Sequence, residues 1–344
     1  MKISLDAMGG DFAPRALIEG SLLAAEEIES SIILVGREED IRAHMSELGA
    51  KKPESIEIVN STEVIDMGEP LSRALRKRDS SIRVAANLVK SGRAEAFVSM
   101  GHSGAVMAVG IITLGKIPGV ERPALATLIP TIKGTSALID VGANVDSKPV
   151  NLLQFALMGR AFIKAAIEKG NPTVGLLSNG EEDIKGNDIT KQAHNLLKNN
   201  ITNYVGYVEG KDILLGDVDI IVCDGFVGNI ILKMGEGFVE LLPRFIMKKI
   251  EGLSEGEGAR PSLEYMSSLD EFDRLVRENF DYNQYGGAPL LGINGICILG
   301  HGRSKATAVK NAIHMAEGFA KGRLVCEIEK EFSKPPTLGK PVIN

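Results

Sequence analysis

The chain has 344 residues, 44% hydrophobic and 24% charged, with 38 glycines and a formal net charge of −6. That composition suits a large α/β core, while the acidic balance argues against a nucleic-acid binder, which needs a basic stripe. Cys223, Cys297 and Cys326 lack paired short spacing, so they suggest reduced thiols rather than a disulfide framework or a zinc site. With Asp6 interrupting the N-terminus and no run of about 20 apolar residues, a cytoplasmic chain is expected.

Lys2–Asp6 reads as a buried strand, followed by a Gly9-Gly10 turn and a helix over 14–29 that Pro14 opens. A strand over 31–35, a charged helix over 38–48 and a strand over 56–59 complete a β-α-β-α-β alternation. That order predicts a parallel sheet covered on both faces. Residues 71–91 read as basic and helical, with Asp79, Ser80 or Ser81 capping a second helix that turns Val84, Leu88 and Val89 inward. Arg73, Arg76, Lys77, Arg78 and Arg83 fall within eleven positions there. A solvated helix end explains such a cluster, and so does a docking patch for an anionic substrate or carrier.

An apolar run ending at Ser99 leads through Gly101-His102-Ser103-Gly104 into a small-residue helix. Strands over 124–128 and 136–140 form an expected antiparallel pair that interrupts the parallel order. A helix over 149–168, a strand over 173–177, a helix over 188–198, and strands Tyr204–Val208 and 219–223 resume it. Apolar positions at helical spacing over 230–250, with a bend at Pro243, a break over 252–260 and a further helix over 263–280 define a helical excursion at 235–280. Packing against a partner subunit is its default use and a membrane surface the alternative. A strand over 295–299, a helix over 305–332 capped by Ser304 and a disordered tail over 333–344 end the chain, giving one α/β unit over 1–332.

Glycine turns close most of these strands, and several carry polar side chains. They offer Asp6 and Asp11 around Gly9 and Gly10; His102 and Ser103; Asn144 and Asp146; Asn179, Glu181, Lys185 and Asn187; and Asp224 and Asn229 around Gly225. Gly287 and the pair His301 and Arg303 complete the set. In an open α/β sheet, ligands sit at the carboxyl ends of strands, and a helix N-terminus there suits an anion. Any one such turn is ordinary architecture; several on one edge define a crevice. No P-loop or dinucleotide fingerprint occurs, and Gly-His-Ser-Gly is one residue short of a nucleophile elbow. Asp6, Asp11, Asp140 and Asp224 could hold a metal, but backbone capping explains strand-end aspartates equally well, so no metal is assigned.

The motifs Asp6-Ala-Met-Gly-Gly-Asp11, Arg122-Pro-Ala, Asp140-Val-Gly-Ala-Asn144-Val-Asp146, Lys185-Gly-Asn187, Asp224-Gly-Phe-Val-Gly-Asn229 and Tyr285-Gly-Gly-Ala-Pro-Leu-Leu-Gly292 occur in order from Lys2 to about Glu329. Together they resemble the bacterial phosphate acyltransferase (PlsX) family. The resemblance implies a doubly wound, mostly parallel sheet like isopropylmalate dehydrogenase and phosphotransacetylase, and a homodimer without a nicotinamide cofactor. It implies transfer of a fatty acyl group from acyl carrier protein to inorganic phosphate, the acyl phosphate passing to a membrane glycerol-phosphate acyltransferase. It also implies membrane contact, in some members, through the excursion.

The family loop reads Gly-Asn-[Thr/Ser]-Gly-Ala, whereas His102 stands in the Asn position here. An imidazole can donate a hydrogen bond to an oxyanion, and the position can equally only shape the turn. On this basis Lys185, Asp224, His102 and His301 are the expected catalytic set. Gly9, Gly10, Gly101, Ser103, Gly104, Asn144, Asn179, Asn187, Gly225, Asn229, Gly287 and Arg303 are expected around phosphate and acyl group. The Arg73–Arg83 cluster is the expected carrier landing surface. The alternatives are a phosphotransacetylase using acyl-CoA, a dehydrogenase of the isopropylmalate type and a lipid-binding scaffold.

Overall fold

The computed structural model describes residues 1–49, 53–254, 271, 274 and 286–333. The first alternation is as expected: β1 (Lys2–Asp6), α1 (Arg15–Ala25), β2 (Ser31–Gly36), α2 (Glu38–Glu47) and β3 (Ile56–Asn60). β1 pairs with β2 and β2 with β3, all parallel. Ile3 and Leu5 and the run Ile32–Val35 are wholly buried, as strands covered on both faces require.

The basic stretch forms α3 (Leu71–Ala74) and, as expected, a second helix, α4 (Ser81–Lys90), with Ser80 at its N-cap; the backbone before α4 pairs with Glu63. The Glu63 amide donates to the Asp79 carbonyl at 3.3 Å and the Ser81 amide to the Glu63 carbonyl at 3.2 Å. Leu88 is buried as expected, while Val84 and Val89 are only half-buried.

β4 (Ala96–Ser99) and α5 (Ser103–Leu114) precede the antiparallel hairpin of β5 (Ala124–Thr131) and β6 (Gly134–Ile139). Then come α6 (Pro149–Ile167), β7 (Val174–Leu177), α7 (Asp188–Asn200), β8 (Tyr204–Val208) and, after a 3-10 turn at Gly210–Leu214, β9 (Ile220–Val222). α8 (Gly225–Ser254) leaves β9 directly, ten residues before the expected start of the excursion; apart from 271 and 274, residues 255–280 lie outside the described residues, as does the tail from 334. β10 (Ala288–Leu291), a strand not anticipated from the sequence, pairs with β11 (Ile296–Leu299).

The final helix is two, α9 (Ala306–Lys321) and α10 (Leu324–Phe332). Arg323 between them has φ +51°, a left-handed conformation that ends a helix. Ser304 is not the cap: Lys305 holds that position, and the buried Ser304 donates its amide to the His301 carbonyl at 2.9 Å.

By length and composition α6, with 19 residues, could cross a membrane, contrary to the expectation from sequence. It is the core helix instead: Leu152, Leu153, Phe155, Phe162 and Ile163 are buried in the main apolar cluster.

Among the described residues, eleven strands join one sheet in the order β3-β2-β1-β4-β11-β10-β5-β6-β9-β7-β8. β11 is parallel to β4, but β10 opposes β11, β5 opposes β10 and β6 opposes β5, so the set β6-β9-β7-β8 runs counter to the set β3-β2-β1-β4-β11. The single parallel edge assumed from sequence is therefore two, joined across antiparallel strands.

A buried carboxylate fixes the closing turn of one strand in each set. Asp6 ends β1, accepts Ser99 Oγ at 2.6 Å and the Met8 amide at 3.1 Å, and is fully buried. Ser99 Oγ in turn accepts the Gly101 amide at 3.1 Å. Asp140 follows β6 and accepts the amides of Leu125, Gly142, Ala143 and Asn144 at 2.7–3.1 Å, with the Asn144 side chain at 2.9 Å. Burial pushes both carboxyls up from their ordinary range, and these hydrogen bonds oppose it.

Asp140→Asn replaces one acceptor oxygen by a donor and loses at least two hydrogen bonds to a buried charge. The expected loss is roughly 3–6 kcal/mol in urea unfolding; an unchanged midpoint would mean that the turn is held by other contacts.

Candidate active site

A cavity of about 470 Å³ opens between the two parallel sets. Ser103 and Met107 of α5, the 299–304 turn after β11, and Gly286–Ala288 leading into β10 form one side. Val141 and Gly142 after β6, with Asn229, Leu232, Lys233 and Glu236 of α8, form the other. Leu125 and Thr127 of β5 lie between, and Asp11, Met67 and Ala308 complete the lining.

Close backbone approaches explain two of the glycines around it. A Cβ on Gly9 would lie 2.8 Å from the Gly101 amide, so the turns after β1 and β4 can pack only without one. A Cβ on Gly228 would collide with the Asp140 carbonyl oxygen, so the first turns of α8 sit directly on the 140–144 turn.

Of the residues expected from sequence, Ser103, Asn229, Gly287, His301 and Arg303 share this cavity. Gly9, Gly10, Gly101, Gly104, Asn144 and Gly225 are not among its lining residues. Asn144 spends its amide on the Pro123 carbonyl at 2.8 Å and on Asp140, and the Gly225 amide donates to the Asn144 carbonyl at 2.8 Å. Asp224 Oδ1 accepts the Val227 amide at 2.9 Å, as a carboxylate capping α8 does.

The turn bearing Asn179, Lys185 and Asn187 closes β7, two strands along the edge from β6, and lines no part of the cavity. Asn187 caps α7 through the Thr190 amide at 2.9 Å, Asn179 accepts the Gly186 amide at 2.9 Å, and Lys185 lies 4.0 Å from Glu182.

His102 is the N-cap of α5. Its Nδ1 accepts the Ala105 amide at 3.2 Å, the task an Asn performs at such a position, and it does not line the cavity. The amides of Ser103 and Gly104 begin the helix with no preceding turn to bond them, so they remain available to an anion.

His301 is half-buried, and its Nδ1 accepts the Arg303 amide at 3.1 Å. Burial holds its imidazolium form off, lowering its pKa. Lys233 and Arg303 lower it further, while Glu236 and Asp11 act the other way.

Met67, Met107, Leu125, Val141, Leu232, Ala288 and Leu299 make the rest of the wall apolar. Lys233 and Glu236 were missed from sequence, although their spacing from Asn229, on the same helical face, was the available signal.

Elsewhere, carboxylate oxygens of Glu181, Glu209 and Asp212 lie within 4.8 Å of one another. Lys211 already serves that group as its cation, 3.3 Å from Glu181 and 2.8 Å from Glu209. Among the expected carrier-docking residues, Arg73 and Lys77 pair with Glu69 at 3.2 and 2.6 Å, and Arg83 donates to the Leu75 carbonyl at 3.1 Å. Arg76 and Arg78 are exposed and have no ion pair among the described residues.

His102→Ala is expected to cost about 1 kcal/mol of stability by removing the cap, whereas His102→Asn retains it. Urea midpoints check this; an equal loss in both variants would show that the imidazole does not hold α5 as a cap.

A family model described as fatty acid synthesis protein matches residues 1–326. The chain is 47% identical over 334 residues to the phosphate acyltransferase of Thermodesulfovibrio yellowstonii, covering 97% of this chain and 95% of that one. It is also 47% identical to that of Pelotomaculum thermopropionicum over 344 residues, covering 98% and 97%. Among solved structures, a phosphotransacetylase from Streptococcus pyogenes superposes with TM-score 0.62 at 16% identity, covering 93% of this chain and 94% of the other. A branched-chain phosphotransacylase from Enterococcus faecalis gives 0.56 at 14%, covering 93% and 99%. These two structural likenesses concern the fold.

Proposed function

The chain belongs to the fatty acid synthesis protein family and is a phosphate acyltransferase, and from that premise we propose that it moves a fatty acyl group from acyl carrier protein to inorganic phosphate, releasing acyl phosphate. The observation that carries this reading is the cavity itself, in which a helix N-terminus, Asn229 and Arg303 face a largely apolar wall.

Phosphate is already anionic near neutral pH, so it needs positioning and charge neutralisation more than deprotonation. One of its oxygens attacks the thioester carbonyl carbon, the carbonyl oxygen becomes an oxyanion, and the carbon–sulfur bond then breaks. The electron pair leaves on sulfur, which takes up a proton as the free thiol. With a thiol pKa of about 8.5, little acid assistance is needed. The α5 amides at Ser103 and Gly104 are suited to the oxyanion, where one donor is typically worth about 2.7–4 kcal/mol. Asn229 and Arg303 are suited to the phosphate, and Met107, Leu125 and Leu232 to the start of the acyl chain.

Two surfaces support the partners. Met67 lines the cavity, and the exposed Arg76 and Arg78, which follow it in the chain, fit an acidic carrier. On α8, Ile230, Met234, Phe238 and Leu241 are 51–71% exposed and lie about 140° round the helix from the cavity-facing residues. Such a stripe suits a second copy of the chain, with peripheral membrane contact as its other use. Acyl phosphate hydrolyses readily, so direct hand-off to a membrane glycerol-phosphate acyltransferase is part of the reading. The free thiols of Cys223, Cys297 and Cys326 suit a reducing cytoplasm.

Mixing the protein with an acyl-carrier thioester should release thiol only when phosphate is present, and faster than from the matching CoA thioester. Release independent of phosphate, or equal rates with both thioesters, would contradict the reading. Charge reversal of Arg76 and Arg78 together should slow carrier-dependent turnover roughly three- to tenfold at low salt, with the difference shrinking as salt rises. Equal rates at every ionic strength would remove the patch from the docking surface.

A further inference from the structure

α8 presents Asn229, Lys233 and Glu236 to the cavity on successive turns. Lys233 Nζ and Glu236 Oε2 are 2.8 Å apart, and the lysine side chain is 52% exposed against 20% for the glutamate. The ionisable groups facing this pair are His301 and Arg303 from the turn after β11 and Asp11 from the turn after β1. With the imidazole neutral, Asp11 and Glu236 balance Lys233 and Arg303, so the polar wall has no net charge. A multiply charged anion therefore gains little from the wall as a whole. Arg303 offers it one positive charge; a second must come from a cation released from its internal partner, and Lys233 on its flexible stem is the one so held.

We propose that Lys233 receives the phosphate and that Glu236 is its internal counter-anion, displaced when phosphate arrives. This rests on the phosphate-transfer reading above and adds a residue pair to it. When the cavity is empty, Glu236 steers the ammonium along the helix; when phosphate enters, Glu236 competes with it for the same donors. The two side chains thus act on phosphate affinity in opposite senses, which a merely structural salt bridge would not do.

The test is phosphate saturation of thiol release from acyl-carrier thioester. Lys233→Gln should raise the phosphate KM roughly tenfold or more, Lys233→Arg should recover most of that, and Glu236→Gln should lower the KM about threefold. In each case the effect on KM should exceed that on kcat. The same order should appear without turnover, in the inorganic phosphate concentration that gives a half-maximal rise in the thermal midpoint. If the wild-type protein shows no phosphate-dependent release, both this inference and the functional reading fall. If it does, and either Gln variant leaves the phosphate KM within twofold or Glu236→Gln raises it, this inference alone is overturned.

Discussion

The buried carboxylate of Asp140 is the constraint on which the cavity depends. It stands just beyond β6, where the central hairpin meets the second parallel set, and it gathers four backbone amides and one side-chain amide. A carboxylate removed from water is tolerable only when its lone pairs are filled in this way. Filling them curls the 140–144 chain into a tight turn, and α8 packs on that turn through Gly228 and Gly225. The face of α8 that enters the cavity is thereby fixed. Asp6 does the corresponding work on the other side, where Ser99 relays its hold to the turn that starts α5.

This arrangement gives the cavity two walls of different origin and different chemistry. One comes from strand-end turns and a helix start, which supply backbone donors; the other comes from a helix side, which supplies Asn229, Lys233 and Glu236. Between them β5 contributes Leu125 and Thr127. Acyl transfer to an anion asks for such a division, because the thioester needs an apolar channel and fixed dipoles while the incoming anion needs charge.

The strands were legible in sequence because their apolar runs are short and several end in glycine or aspartate, as Lys2–Asp6 and Ser31–Gly36 show. The parallel first set and the antiparallel β5–β6 pair were legible too, but the full reversal was not: the strand over 288–291 is too brief and too glycine-flanked to announce itself, and it is one of the strands that reverse the sheet. The start of the second basic helix at Ser80 was legible from its capping residues, while the pairing of that turn with Glu63 was not. Within the site, polar residues in glycine turns stood out, and several of them turned out to cap helices or hold turns, as His102, Asn187, Asp224 and Asn144 do. Lys233 and Glu236 escaped notice because, in a helix read as an excursion, a lysine and a glutamate resemble solvated surface. Only the packing of α8 against Asp140 shows which way they point.

The most direct measurement is the crystal structure of the protein bound to a non-hydrolysable acyl phosphonate. The phosphonate is expected between the start of α5, Asn229 and Arg303, with the acyl chain against Met107 and Leu125. Density for the phosphonate at the 179–187 turn, or on any surface outside the cavity, would contradict the account.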